Sequence, residues 1–320
     1  MRPYKRAGTL IGICPPNMRK FPQPKVVVVG GYNADLVIAC ETLPVEGESM
    51  VGGPLQIFGG GRGANCAVAA ARAGAEVSFI GAHGHDAFGV MAQDQLNKEG
   101  IDISNFRDLA SVSTGASLGM LEASTGRNFL LCAESANNHL TPEMVRASRN
   151  ILHSADLVIS ELEIPPETAW EAMRICEERD IPFLLDMSPI NRIKQVPKNN
   201  VLAIVTESVE EAMVVTGTFR VPDAVAALHR TGARNVVLVE RSREITYSDG
   251  QTIGTLKVPI RRVVDRCGAT ECLETWISLA LIRNIRLSEA CREASFAMAH
   301  SLSHMGGHQG MPYRSEVGEP

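Results

Sequence analysis

Gly60-Gly-Arg-Gly-Ala-Asn65 runs without a break into Cys66-Ala-Val-Ala-Ala-Ala-Arg-Ala-Gly-Ala75. The second part is a run of small, strong helix formers, which predicts a helix over 64–73. The first part places glycines directly ahead of that helix, where backbone N–H groups approach a bound molecule closely. The spacing is neither the GxGxxG dinucleotide fingerprint nor a P-loop. Taken alone, the cluster reads equally well as a tight turn. Asn65 at the helix start adds a side chain suited to capping the helix or gripping a hydroxyl.

Outward from this stretch the pattern alternates. Val26–Gly30 is a β-branched run ending in Gly-Gly and reads as a buried first strand. Val77–Gly81 is the next strand, and 87–99 has helical spacing. Then follow strand Leu157–Ser160, helix 167–179, strands Phe183–Asp186 and Val201–Val205, helices 209–216 and 222–231, strand Val236–Val239, and two closing helices at about 268–283 and 287–304. This order predicts an α/β domain with a mostly parallel sheet covered by helices on both faces. Residues 36–58 alternate apolar and polar, broken by Pro44, Gly47 and Gly52-Gly53, and read as short antiparallel strands of a flap. Thr114–Leu121 and Asn128–Ala133, joined by a turn at Ser124-Thr-Gly126, read as a second such pair. The expected organisation is an irregular, Pro-rich basic arm at 1–24 followed by one domain at 25–320.

Composition narrows the function. Hydrophobic residues at 45% and charged residues at 21% fit a chain with a packed core. A net charge of −5 with aromatics at 5% offers neither a basic footprint for nucleic acid nor base-stacking platforms, and no polybasic patch for a membrane. The eight cysteines are scattered without a CxxC pair, which fits a reducing cytoplasm better than a disulfide framework. The run Gly8–Cys14 behind Arg2, Lys5 and Arg6 is too short for a signal peptide and meets Pro15-Pro16 at once.

Asn33-Ala-Asp35 lies just past the first strand, at the sheet edge where open α/β folds bind ligands. Together these side chains offer donors and acceptors for vicinal hydroxyls, although an Asx turn also fits. Asn33-Ala-Asp35, the Gly60–Asn65 loop with its helix, the continuation to Gly81, and Gly84-His-Asp-Ala-Phe-Gly89 together resemble the ribokinase-like, phosphofructokinase-B-like family of carbohydrate kinases. The resemblance runs from about residue 25 to residue 317. It implies a three-layer sandwich around a sheet of about nine strands, with a small β lid over a sugar. It further implies that Asn33, Asp35, Gly60, Gly61, Asn65 and Glu163 bind that sugar, with Arg62 standing where the family usually has Lys. Ala116 and its neighbours would fall on the lid strand.

The family's closing signature, Asp-Thr-x-Gly-Ala-Gly-Asp, matches Asp265-Arg-Cys-Gly-Ala-Thr-Glu271. By resemblance Glu271 is the catalytic base, Gly268, Ala269 and Thr270 form the anion hole, and Asp265 lies near a monovalent-cation site. Thr270 replaces a glycine and Glu271 an aspartate, one methylene longer. Ser208-Val-Glu-Glu211 replaces Asn-x-x-Glu, with Glu211 near magnesium. Val239-Glu-Arg241 and Gly306-Gly-His-Gln-Gly310 stand at two further nucleotide-side motifs. Two readings follow. One is a kinase transferring the γ-phosphoryl group of MgATP to a pentose-like sugar or nucleoside. The other is a pseudokinase that binds the sugar without turnover. Homodimerisation through lid strands is a further expectation from the resemblance. His300, His304 and His308 share a helical spacing that suits a metal, but Gly306-Gly307 is expected to end the helix first.

Overall fold

Val26, Val27, Val28 and Val29 are each at most 3% exposed, and successive ones face opposite sides of the strand. Val26 and Val28 pack into one hydrophobic core, Val27 and Val29 into another. A strand buried on both faces is the central element of a three-layer sandwich, and each such valine contributes roughly 1.5–3 kcal/mol by leaving water. The computed structural model describes residues 23–122, 128–192, 197–199, 203–206, 208–260 and 262–317. All but the last two residues of the N-terminal arm lie outside this set, as do the turn at 124–126 and Arg261.

The strands are β1 Lys25–Val29, β2 Asn33–Cys40, β3 Gln56–Gly60, β4 Glu76–Gly84, β5 Asp102–Leu109, β6 Ala116–Glu122, β7 Asn128–Ala133, β8 Leu157–Ser160, β9 Phe183–Asp186, β10 Ala203–Thr206, β11 Asn235–Val239, β12 Glu244–Ser248 and β13 Ile253–Lys257. The helices are α1 Arg62–Arg72, α2 Ala87–Lys98, α3 Pro142–Ala147, α4 Arg149–His153, α5 Pro166–Glu177, α6 Val209–Thr216, α7 Val221–Arg230, α8 Ala269–Leu281, α9 Leu287–Leu302 and α10 Gly307–Gly310. Nine strands form the main sheet in the order β13-β12-β11-β10-β9-β8-β1-β4-β5. It is parallel except for the β11-β12-β13 edge. Helices α1, α2, α8 and α9 supply the core on one face, and α3 to α7 the core on the other.

A second sheet, β3-β2-β6-β7, forms the lid. The expected antiparallel flap within 36–58 is the pair β2 and β3, except that its first strand begins earlier, at Asn33. Strand β2 also pairs parallel with β6. The expected strand at 114–121 is β6 and that at 128–133 is β7, paired antiparallel. The closing helix stops at Leu302, and His308 sits on the separate α10, so the three histidines do not share one helix face. Among the described residues no group of three or more His, Cys, Asp or Glu is placed to hold a metal, and no helix is long and apolar enough to cross a membrane.

Candidate active site

Strand β2 pairs with β3 so that Asn33 stands opposite Gly60, and with β6 so that Asp35 stands opposite Ser117. Asp35 is 8% exposed and accepts a hydrogen bond from Ser117 Oγ at 2.5 Å. Burial pushes its pKa up to about 6. A Cβ at Gly60 would lie 1.9 Å from Asp35 Oδ2, so any side chain there would displace the Asp35 carboxylate. The next residue, Gly61, has φ 87° and is the N-cap of α1. Asn65 therefore does not cap the helix. It lies in the first turns of α1, 5% exposed, and its Oδ1 has no hydrogen-bond partner. A buried acceptor left unpaired at the wall of a cavity is costly unless a ligand donor meets it.

Asn33 is oriented from two sides. Asn137 Nδ2 donates to its Oδ1 at 2.9 Å, and its own Nδ2 donates to Glu163 Oε2 at 3.3 Å. Glu163 also accepts the Arg62 backbone N–H at 2.9 Å. Burial raises the Glu163 pKa to about 7, with the Arg62 charge opposing the rise. Behind it, fully buried Glu161 accepts the Gly31 N–H at 2.7 Å and the N–H of Glu163. Burial holds the Glu161 carboxyl well above the usual range.

Asn33, Asp35, Gly61, Asn65, Ser117 and Glu163 line one cavity of about 150 Å³ together with Arg266, Cys267, Gly268, Thr270 and Glu271, whereas Gly60, Asn137 and Glu161 stand behind its wall. The opposite wall is the start of α8, whose first-turn N–H groups have no intrahelical partners and attract anions. Ala269 is 2% exposed with its side chain in the core, does not line the cavity, and donates its N–H to the Arg266 carbonyl at 3.3 Å. Glu271 is 4% exposed. Arg62 joins the two walls. Its Nε donates to Asp186 Oδ2 at 2.6 Å, and its Nη2 stands 3.1 Å from Glu271 Oε1.

The nucleotide-side residues lie apart from that cavity. Ser208 caps α6 by accepting the Glu211 N–H at 3.2 Å, and Glu211 accepts from Ser188 Oγ at 3.0 Å. Val239 is 3% exposed in the core, which leaves only its backbone for contact, whereas Arg241 is exposed beyond β11. Asp265 uses its two oxygens on backbone N–H groups, Cys267 at 3.1 Å and Gly306 at 2.9 Å, and so ties the loop before α8 to the start of α10. This donor set does not form an all-protein cage. It fits a magnesium ion carried on phosphates and held by one carboxylate, Glu211.

Asp186, Ser117, Asn137 and Glu161 are not singled out by sequence reasoning, yet each holds a site residue in place. Asp186 carried a usable signal, since it ends a predicted strand at the ligand-binding edge of the sheet.

The model of the pfkB family of carbohydrate kinases matches residues 23–314. The chain is 28% identical to the ribokinase of Bacillus subtilis over 294 residues, covering 92% of this chain and 98% of that one. The ribokinase of Schizosaccharomyces pombe is 28% identical over 309 residues, covering 91% and 96%. The structure of Arabidopsis thaliana ribokinase complexed with ribose and ATP superposes with a TM-score of 0.81 at 26% identity, covering 92% of this chain and 97% of that one.

Proposed function

The chain belongs to the pfkB family of carbohydrate kinases, and from that premise we propose that it transfers the γ-phosphoryl group of ATP to a hydroxyl of a pentose-like sugar. One observation carries this reading. A single cavity holds the hydroxyl-binding set Asn33, Asp35, Asn65 and Glu163 on one wall, and Glu271 with the α8 N-terminus on the other. Relatives named ribokinase, and a neighbour solved with ribose and ATP, support the substrate pair.

In this mechanism Asp35 and Glu163 accept hydrogen bonds from ring hydroxyls, while Asn33 and Asn65 complete their partners. The acceptor hydroxyl points at Glu271, which takes its proton as the oxygen attacks the γ-phosphorus. The bond to the β-phosphate oxygen breaks and ADP leaves. Backbone N–H groups of Gly268 and Thr270 stabilise the charge on the transferring group. Magnesium, held through Glu211, would supply charge neutralisation on the phosphates when bound. The exposed apolar face of the lid supports assembly as a homodimer.

A second reading, sugar binding without turnover, is favoured by the Arg62–Glu271 ion pair, which occupies the base, and by Thr270 at the anion hole. Calorimetric titration with D-ribose and a panel of pentoses and nucleosides, then with MgATP, followed by a coupled assay of ADP release, separates them. Sugar-dependent ADP release supports the kinase. Sugar binding without nucleotide binding or ADP release supports the binding protein, and no sugar binding refutes both. In the kinase, Glu271→Gln is expected to lower kcat by about 100-fold or more.

A further inference from the structure

We propose that Arg62 is the positioning residue of the base: its guanidinium, anchored on Asp186, holds the Glu271 carboxylate at the acceptor end of the cavity. The proposal rests on the kinase reading. Glu271 has one more rotatable bond than an aspartate at the same place, so without a partner its carboxylate samples more positions relative to the acceptor.

Arg62 supplies that partner in a fixed orientation. Asp186 is fully buried and is itself held by the Ser188 N–H at 3.0 Å. Its 2.6 Å bond to Arg62 Nε sets the guanidinium plane and leaves Nη2 3.1 Å from Glu271. A planar fork serves two carboxylates at once, which a lysine ammonium does less well. The backbone of the same residue donates to Glu163 on the sugar-binding wall, so Arg62 ties both ends of the cavity to one position.

The charges around Glu271 make this cation matter. Asp35 on β2 and fully buried Glu274, one turn further along α8, act on Glu271 directly, Asp186 at the end of β9 shares Arg62 with it, and Asp265 in the loop before α8 adds its charge to that of Glu271 on Asp35. Cys66, Cys267 and Cys272 also pack in this region, and burial keeps them as neutral thiols. Among the described residues Arg62 is the cation paired with these carboxylates, and Arg266 is exposed at the mouth.

The test uses the full chain with D-ribose and MgATP. Arg62→Met is expected to lower kcat about 100-fold and Arg62→Lys about tenfold, while the KM for ribose changes less than about threefold. The acid limb of the kcat profile is expected to move to higher pH in Arg62→Met, since a carboxylate that loses a neighbouring cation holds its proton longer. In a Glu271→Gln background, Arg62→Met is expected to have no further effect on kcat. A rise in KM alone, or effects of Arg62→Met and Glu271→Gln that multiply, would overturn the proposal. If the wild-type chain turns over no sugar, the kinase reading fails by itself. Urea unfolding of the two single variants and the double variant then decides the clamp. Non-additive losses support it, and additive losses refute it. If Arg62→Met does not fold, Arg62→Lys carries the same cycle.

Discussion

Asp35 and Glu163 are carboxylates whose burial opposes their charge, with pKa values pushed up to about 6 and about 7 from 3.8 and 4.5. Both native values lie above the unfolded ones, so the native state binds more protons between about pH 4 and pH 7. Stability is therefore present in full at the acid end of that window and is lost as pH rises through the folded pKa values. For Asp35 the shift corresponds to roughly 3 kcal/mol at about 1.4 kcal/mol per unit. The unliganded protein is expected to unfold at a higher temperature near pH 5 than near pH 8, and a midpoint that rises with pH across this range would contradict the assignment. Sugar hydroxyls donating to the ionised carboxylates lower both values, so ribose binding near pH 6 should release protons. Titration in two buffers of different ionisation enthalpy measures that release. Asn33, Asp35 and Glu163 are reached from the sequence through the family resemblance, since Asn33-Ala-Asp35 alone also reads as an Asx turn. Ser117 is not, because its role consists of a partner 82 residues away, and for Asp186 the strand pattern marks the position but not its partner Arg62, 124 residues away.

The motif Gly84-His-Asp-Ala-Phe-Gly89, which helps carry the family resemblance, turns out to be a joint between elements. Asp86 caps α2 by accepting the Gly89 N–H at 2.8 Å, and accepts the Thr114 N–H at 2.8 Å and Thr114 Oγ1 at 2.7 Å. Thr114 leads into β6, the strand that brings Ser117 to Asp35. Asp86→Ala removes the cap and both bonds across to the lid, at an expected cost of about 2–3 kcal/mol in urea unfolding. Ribose affinity should fall with it, and a variant of unchanged stability would show that the joint carries no load. Helices α1, α2 and α5 to α9 lie within two residues of where their spacing predicts them, and short α6, which buries only Val209 and Ala212, is bounded by Ser208 and Gly217. The edge strands are less legible. In β5 only Phe106 is buried, and β13 has no buried residue, so neither shows the apolar run or clean alternation that marks a strand. Short α3 and α4 are likewise too brief for a periodic signal.

The lid has two faces of opposite chemistry, and its outer one bears on how the whole molecule assembles. Asp35, Ser117 and Cys132 are in register and line the cavity. One residue along each strand, Ile57, Leu36, Leu118 and Leu131 form a row across all four strands on the other face, as the period of two requires. Leu118 is 59% exposed and Leu131 72% exposed, while neighbouring Phe129 is 61% exposed. A sheet with one solvated face usually carries polar residues there, and a contiguous apolar row of this extent marks an association surface. Its position on a small lid, continuous across four strands, suits the same surface of a second copy in a two-fold arrangement. Each leucine covered in this way contributes roughly 1.5–3 kcal/mol. The chain is expected to run as a dimer in size-exclusion chromatography with light scattering, and Leu131→Asp as a monomer, because the substitution places a charge against apolar surface. Since the inner face of the same strands holds Asp35, the monomer should bind ribose more weakly while keeping its far-ultraviolet circular dichroism. A wild-type chain that stays monomeric at tens of micromolar would leave the apolar row without a partner of its own kind and refute the homodimer.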